Sequence, residues 1–358
     1  ARGRGRVEPN PMVGCVLVRG GQIVGQGYHR RYGGPHAEIE ALNRAGAKAR
    51  GATAYVTLEP CCHHGKTPPC TDALIRAGVQ RVVAATVDPF SEVAGRGLAI
   101  LREAGIEVAE GLLADEARAL NAPYFKLIGT GRPFVTCKWA MSADGKLATA
   151  SGDSRWITNE QARREAHRLR KTSDVVMVGV GTVLADDPAL DVRHVRGRSP
   201  AVAVVDSTLR TPLEARLLTI RPPEEVTFYC TGKAPAARRK RLEETGARVV
   251  TVKSDDGRVT LDAVLEEMGR RRITNLTIEG GPLLLGEVLR RGLADRVVVF
   301  MAPVLIGGTH APGAWSGEGV ARMADARRLV DVTMKRLGDN VMMTGFTGGK
   351  NACGHIEQ

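Results

Sequence analysis

Residues 57–70 read Thr-Leu-Glu-Pro-Cys-Cys-His-His-Gly-Lys-Thr-Pro-Pro-Cys, and residues 35–38, upstream of them, read Pro-His-Ala-Glu. Together they place His36, Cys61 and Cys70 where a metal could gather them. Zinc favours one imidazole and two thiolates, and such a set leaves a fourth tetrahedral position open for water, which marks a catalytic rather than a closed structural site. Glu38 lies two residues past the candidate ligand His36. From the first turn of a helix it can stand beside the metal without binding it and carry protons. The helix end favours deprotonated sulfur, and the metal lowers the pKa of its water.

A His-x-Glu followed by Pro-Cys and a further Cys is the pattern of zinc-dependent nucleobase deaminases. Here the second cysteine follows the first by nine residues rather than three. A structural zinc site stays open at this point, because Cys62, His63 or His64 could close the coordination sphere; the expectation is that they face the substrate or support the ligands. Cys15, Cys137 and Cys230 lie in apolar strands and are expected to be core residues.

Outward from this centre, residues 12–27 read as a hairpin around Arg19-Gly20-Gly21, and the spacing from His36 to about Lys48 predicts a helix. Strands are expected at 53–58, 81–87 and near 106, with helices near 71–77 and 98–104. This alternation implies an α/β sandwich with a largely parallel sheet. Breaker residues at 129–133 (Gly-Thr-Gly-Arg-Pro) set a boundary. The expected division is a first domain over 1–130, a second over 131–347 and a polar tail over 348–358. In the second domain strands are expected near 174–178, 201–205, 226–230, 248–252, 275–279 and 295–301, again with helices between them.

The chain has 358 residues, 43% of them apolar and 25% charged, a length that favours two domains. No apolar run is long enough for a membrane span and none near the N-terminus reads as a secretory signal, so a cytoplasmic protein is expected. Seven cysteines, an odd number, argue for reduced thiols over a disulfide framework. The net charge of +12 fits nucleic acid, a membrane surface or small anions, but aromatic residues make up only 4%. A stacking platform for single strands is therefore poorly supported, and phosphorylated metabolites fit better.

With these motifs in place the chain resembles the bifunctional deaminase/reductases of riboflavin biosynthesis. The resemblance runs from Glu8 to about Pro303. It rests on PNPMVGCVLV (9–18), PHAE (35–38), TLEPCCHHGKTPPC (57–70), VAGRG (93–97), KWAMSADGK (138–146) and SGDSRWIT (151–158). Further on come HRLR (167–170), VGVGTVLADDPAL (178–190), DSTLR (206–210) and IEGGPLLLGE (278–287). The resemblance implies a cytidine-deaminase-like α/β/α domain followed by an α/β domain similar to dihydrofolate reductase. The first would remove the exocyclic amine of a diaminopyrimidinone ribosylamine phosphate with zinc on His36, Cys61 and Cys70 and Glu38 as proton shuttle. Asn10, His29 and Lys66 would hold the pyrimidine nucleotide. The second would use NADPH to reduce the ribosyl group to ribityl. Ala140, Trp156, Thr182, Asp186, Ser207 and Gly281 would line the cofactor, and Ser154, Arg170, Leu190, Arg193 and Glu279 would meet the substrate. A homo-oligomer, dimer or tetramer, is implied as well.

Independently of the resemblance, Gly179-x-Gly181 lacks the third glycine of a dinucleotide fingerprint and reads equally as a tight turn. Asp186-Asp187 before a proline reads as a turn too, and Trp156 would by default be core. Gly280-Gly281 between an apolar strand and a helix would let backbone approach a pyrophosphate. Three departures from the family pattern stand out: Cys62 occupies a position usually taken by serine, Phe90-Ser91 replaces Asn-Pro, and the chain opens without the family's N-terminal helix, which is expected to be truncated or disordered. A basic nucleic-acid deaminase with an accessory domain is the rival reading, and a zinc-organised protein without turnover a second. NADPH binding that survives moderate salt separates the first rival, since nucleic-acid affinity falls steeply with salt.

Overall fold

The computed structural model describes residues 2–65 and 67–348. The chain divides into two compact units, the first ending at Gly131 and the second opening at Arg132. The tail expected from Gly348 lies, beyond that residue, outside the described residues.

In the first unit, β1 (Gly14–Arg19) and β2 (Gln22–Tyr28) form the hairpin around Gly20-Gly21. They are followed by α1 (Ala37–Ala45), β3 (Thr53–Val56), α2 (Cys70–Arg76), β4 (Arg81–Ala84), α3 (Arg96–Glu103) and β5 (Glu107–Glu110). Two further helices, α4 (Ala114–Leu120) and α5 (Ala122–Thr130), close the unit. The sheet order is β2-β1-β3-β4-β5.

The sequence led us to expect a largely parallel sheet, and this one is mixed. β1 pairs antiparallel with both β2 and β3, while β3, β4 and β5 run parallel. The reason is the hairpin, whose tight turn returns the chain beside itself and so cannot make parallel neighbours. Every second residue of β1 and β3 (Cys15, Leu17, Ala54, Val56) faces Ala37, Ala41 and Ala45 of α1 and Leu74 of α2, and these make the core. On β2 the residues beneath α1 are Gly25 and Gly27. A Cβ at Gly27 would stand 2.3 Å from the Ala37 carbonyl oxygen, and one at Gly25 the same distance from that of Ala41. The helix therefore rests on bare strand backbone.

The second unit runs β6 (Phe134–Ser142), α6 (Glu160–Thr172), β7 (Val175–Gly179), α7 (Val180–Asp186), β8 (Ala201–Val205), α8 (Arg216–Thr219), β9 (Val226–Cys230), α9 (Ala236–Glu244) and β10 (Arg248–Thr251). It continues with the short pair β11 (Ser254–Asp255) and β12 (Arg258–Val259), then α10 (Leu261–Arg270), β13 (Asn275–Ile278), α11 (Pro282–Arg290), β14 (Arg296–Ala302), β15 (Val330–Leu337) and β16 (Asn340–Phe346). Nine strands form one sheet in the order β10-β9-β8-β7-β13-β6-β14-β16-β15. Its pairings are parallel from β10 through β14 and antiparallel across β14, β16 and β15.

The parallel strands read as continuous Val-rich runs because both of their faces are covered. The final hairpin is absent from the sequence reading. β15 is exposed at every residue except Leu337, so no buried stripe alternates along it. Cys15, Cys137 and Cys230 are buried as expected.

Candidate active sites

α1 begins with His36 as its N-cap, placing Ala37 and Glu38 in the first turn. Cys61 follows β3, and Cys70, expected in a loop, is the first residue of α2. The three converge. His36 Nδ1 lies 3.4 Å from the Cys61 sulfur and 3.3 Å from that of Cys70, and all three ligand atoms lie within 4.8 Å of one another. A tetrahedral zinc with sulfur at ~2.3 Å and nitrogen at ~2.0 Å has nitrogen-to-sulfur edges of about 3.5 Å, so the donor set fits the ion by type and by spacing. Among the described residues no other His, Cys, Asp or Glu joins this group. Cys62 instead donates toward the Glu92 carbonyl at 3.6 Å, and His63 packs its ring edge-on against Phe90.

The protein prepares this centre electrostatically. Cys61 is drawn toward the thiolate, to about 4, first by a hydrogen bond from the Cys70 thiol and then by His36. Cys70, donating that bond, is pushed up. His36 is raised by its contact with Cys61. Burial first, and the Cys61 charge second, raise the Glu38 carboxyl to about 7. Its Oε2 is buried without a hydrogen-bond partner in the protein, as is Nε2 of His29. His29 Nδ1 bonds the Pro35 carbonyl at 3.0 Å, which makes that nitrogen the donor and leaves Nε2 as an acceptor. Burial lowers the His29 pKa, holding the ring neutral, and it stands edge-on to His36 at 5.2 Å.

Asn10 lies just ahead of Met12. The Met12 backbone is gripped at both ends by Asn121, whose Oδ1 accepts from its N–H at 2.7 Å and whose Nδ2 donates to its carbonyl at 3.0 Å. Asn121 is a residue the sequence reading missed; its partner is 109 positions away and nothing local announces it. Lys66 lies outside the described residues.

In the second unit, β7 and β13 are parallel neighbours that run into α7 and α11. Gly281 caps α11, and its N–H donates to the Thr182 hydroxyl at 3.1 Å, joining two of the expected cofactor contacts. A Cβ at Gly181 would meet no atom within 4 Å, and one at Gly281 only the Thr182 hydroxyl at 3.6 Å, so these first turns are open to a ligand. Orphan N–H groups at a helix start suit a pyrophosphate, and the cradle fits a dinucleotide. Asp186 ends α7, with its carbonyl accepting from Arg155 at 3.0 Å. The Ser207 hydroxyl accepts from the Val259 N–H at 3.2 Å. Ala140 packs beside Phe300. Trp156, by default a core residue, is 65% exposed and carries the Arg163 guanidinium over its ring at 4.6 Å.

Beside this cradle sits a buried charge cluster. Arg170 grips Glu279 bidentately at 2.7 and 2.8 Å, and Lys138 of β6 adds a contact at 3.1 Å. Burial would raise the Glu279 carboxyl, but the Arg170 charge and then that of Lys138 overturn this and hold it well below the usual carboxylate range. Lys138 is the residue missed here; it opens a quoted motif, but its partner lies 141 positions on.

Arg170 also donates to the Asp191 carbonyl at 3.1 Å, and the Arg193 N–H donates to His167. This draws the expected substrate residues 190–193 toward the cluster. Leu190, expected to meet the substrate, is only 3% exposed and packs in the core of the second unit. The Ser154 carbonyl accepts from the Ile157 N–H at 3.2 Å.

The zinc-binding region model of cytidine and deoxycytidylate deaminases matches residues 1–86, and the RibD C-terminal domain model matches residues 133–343. The riboflavin biosynthesis protein RibD of Actinobacillus pleuropneumoniae is 43% identical, over 96% of this chain and 91% of that protein. That of Escherichia coli K12 is 43% identical, over 96% and 95%. Among solved structures, Acinetobacter baumannii RibD superposes with a TM-score of 0.88 at 37% identity, covering 97% of this chain and 95% of the other. A diaminohydroxyphosphoribosylaminopyrimidine deaminase/5-amino-6-(5-phosphoribosylamino)uracil reductase from Thermotoga maritima gives 0.83 at 34% identity, with the same coverage.

Proposed function

The chain belongs to the RibD family, and from that premise we propose how its residues share out the two reactions. It is a bifunctional deaminase/reductase of riboflavin biosynthesis, with a zinc-binding deaminase domain and an NADPH-dependent reductase domain. Its substrates are phosphorylated pyrimidines.

His36, Cys61 and Cys70 would hold the metal. Bound zinc supplies the Lewis acidity that makes water a nucleophile near neutral pH. Glu38 would take one proton of the attacking water and hand it to the ring nitrogen, then move the remaining proton of the added hydroxyl to the amine, which leaves as ammonia while the carbonyl forms. The observation that carries this reading is its buried, unpartnered Oε2, on a carboxyl raised to about 7, near the value a group needs to accept and return a proton at neutral pH. His29 offers Nε2 as an acceptor to a donor on the pyrimidine, Asn10 joins it from the segment that Asn121 clamps, and Lys66, which lies outside the described residues, would supply a cation for the nucleotide's phosphate or carbonyl.

In the reductase domain Thr182, Gly281, Ala140, Trp156, Asp186 and Ser207 would hold NADPH. NADPH supplies the hydride, and the protein orients the acceptor carbon. Arg170 and Arg193, with Ser154 and Leu190, would grip the phosphorylated sugar. Glu279 holds Arg170 and Lys138 in place.

A homo-oligomer, dimer or tetramer, and residence in the cytoplasm complete the reading. Among the described residues no helix is long and apolar enough to cross a membrane. The test is an assay on the diaminopyrimidinone ribosylamine phosphate that follows ammonia release and then NADPH oxidation, with Glu38→Gln alongside. Ammonia that requires Glu38, followed by NADPH consumption, assigns both domains. Zinc-loaded protein that does neither sinks the reading, and sedimentation of the same sample reports the oligomer.

A further inference from the structure

Immediately before the ligand-bearing Pro60-Cys61 stands Glu59, a carboxylate only 3% exposed. Among the described residues no cation pairs with it. Instead Oε2 accepts from the backbone N–H groups of Asp88 at 3.1 Å and Gly95 at 2.9 Å, and Oε1 from those of Gly97 at 2.9 Å and Leu98 at 3.3 Å. The last two donors belong to the first turn of α3, whose orphan N–H groups need an acceptor. One side chain thus ties both ends of the loop 88–98 to the segment that carries a metal ligand.

The fit is tight. A Cβ at Gly97 would stand 2.2 Å from the Pro60 carbonyl oxygen and 3.1 Å from Glu59 Oε1. Between the two tied ends the loop reaches back over the zinc segment. Phe90 packs edge-on against His63 at 5.7 Å between ring centroids, and the Glu92 carbonyl receives the Cys62 thiol at 3.6 Å. Asp88 continues the chain of bonds: its Oδ1 accepts from the Phe90 N–H at 2.9 Å and from the Tyr124 hydroxyl at 2.8 Å, anchoring the loop to α5. His63 Nδ1 is buried in this wall without a partner in the protein. Cys62 and His63 thus meet Glu92 and Phe90 of the loop along a single seam.

We propose that Glu59 is a positioning residue for deamination: it locks the loop 88–98 against the Cys61 segment, so that Phe90 and His63 form a fixed wall for the pyrimidine beside the metal. This rests on the deaminase reading above. A carboxylate is the apt acceptor for the task, because its two oxygens offer about four lone-pair sites to four N–H donors. A neutral amide would present hydrogens to half of them.

The test compares wild type with Glu59→Gln and Glu59→Ala. It reads deaminase kcat and KM, zinc content, hydrogen–deuterium exchange across residues 86–98, and reductase activity on the deaminated substrate as a check on the second unit. Misplacement of reacting groups by about 1 Å costs on the order of 10²-fold, so Glu59→Ala is expected to lose about that in kcat/KM. Zinc content and reductase activity should stay at wild-type levels, while the amides of residues 88, 95, 97 and 98 lose protection. Glu59→Gln, keeping one good acceptor, should fall between.

Faster exchange with unchanged kcat and KM overturns the proposal, as does activity lost only in proportion to zinc. If Glu59→Ala does not fold, Phe90→Ala decides: it leaves the carboxylate and its four bonds in place, and KM for the pyrimidine should rise about 10-fold through the slackened wall. An unchanged KM refutes the role. Wild-type protein that releases no ammonia would instead refute the underlying deaminase reading.

Discussion

Two buried carboxylates, Glu38 of the first unit and Glu279 of the second, are kept in opposite ways. Glu38 of the first is buried with one oxygen unpartnered, its carboxyl raised to about 7. Glu279 of the second has a side chain only 7% exposed, yet Arg170 and Lys138 satisfy it and hold it ionised. An unsatisfied buried group is costly and is kept where a ligand or a reaction will use it. A satisfied one serves as a fixed brace, keeping two cations in place at a site that must grip an anion. On the proposed reading the first unit leaves proton chemistry to its own side chain, whereas the second leaves the hard chemistry to a cofactor and supplies order.

Removal of the metal is the most severe way to break the contrast. Chelation is expected to abolish ammonia release outright while NADPH oxidation on the deaminated substrate continues. Loss of both together would mean that the reductase domain depends on the metal. Next comes Glu38→Gln, for which deaminase kcat should fall by about 10²–10⁴-fold with zinc retained, the span typical of a lost general acid–base. A fall below tenfold would move the proton carrier elsewhere.

Glu279→Ala probes the brace. It leaves Arg170 and Lys138 buried without their counter-charge, which should destabilise the second unit by about 3–5 kcal/mol in denaturant unfolding. The deaminase should be spared, and a loss under about 1 kcal/mol would show the cluster to be better hydrated than its burial indicates.

The smallest effect is one of pH, and its sign differs between the units. Burial, then the Arg170 charge, pushes His167 down to about 4, so the folded state prefers the neutral ring. Its contribution to stability is full above the ordinary histidine value and is lost as the pH falls toward about 4. Asp88 runs the other way. Burial raises it to about 6, so its contribution is full below the ordinary aspartate value and is lost as the pH rises through about 6. Moving from about pH 7.5 to about pH 5 should therefore favour the deaminase over the reductase in activity surviving brief heating. His167→Gln and Asp88→Asn should each flatten one arm, and parallel pH profiles for the two activities would contradict the assignment.

Legibility in the sequence followed the reach of each interaction. His36 and Glu38 sit on one helical turn, and Cys61 and Cys70 bracket one loop, so their chemistry could be read from spacing alone. Asn121 on Met12, Lys138 on Glu279 and Glu59 on the loop 88–98 join residues tens to more than a hundred positions apart, and no local pattern encodes such pairings. Val-rich strands buried on both faces were readable, whereas β15, exposed along nearly its whole length, carries no stripe to read. The mixed sheet of the first unit was within reach: the hairpin had been recognised, and it already required antiparallel neighbours.

For anyone wishing to redirect the deaminase to another base, the bare backbone beneath α1 sets the terms. His36 and Glu38 ride on one rigid body whose seat, Gly25 and Gly27, admits no side chain. Mutant libraries at those two positions should return mostly inactive clones, however conservative the exchange. The adaptable material is the proposed wall of Phe90 and His63, which pack on one another away from this seat and can be varied while the helix keeps it.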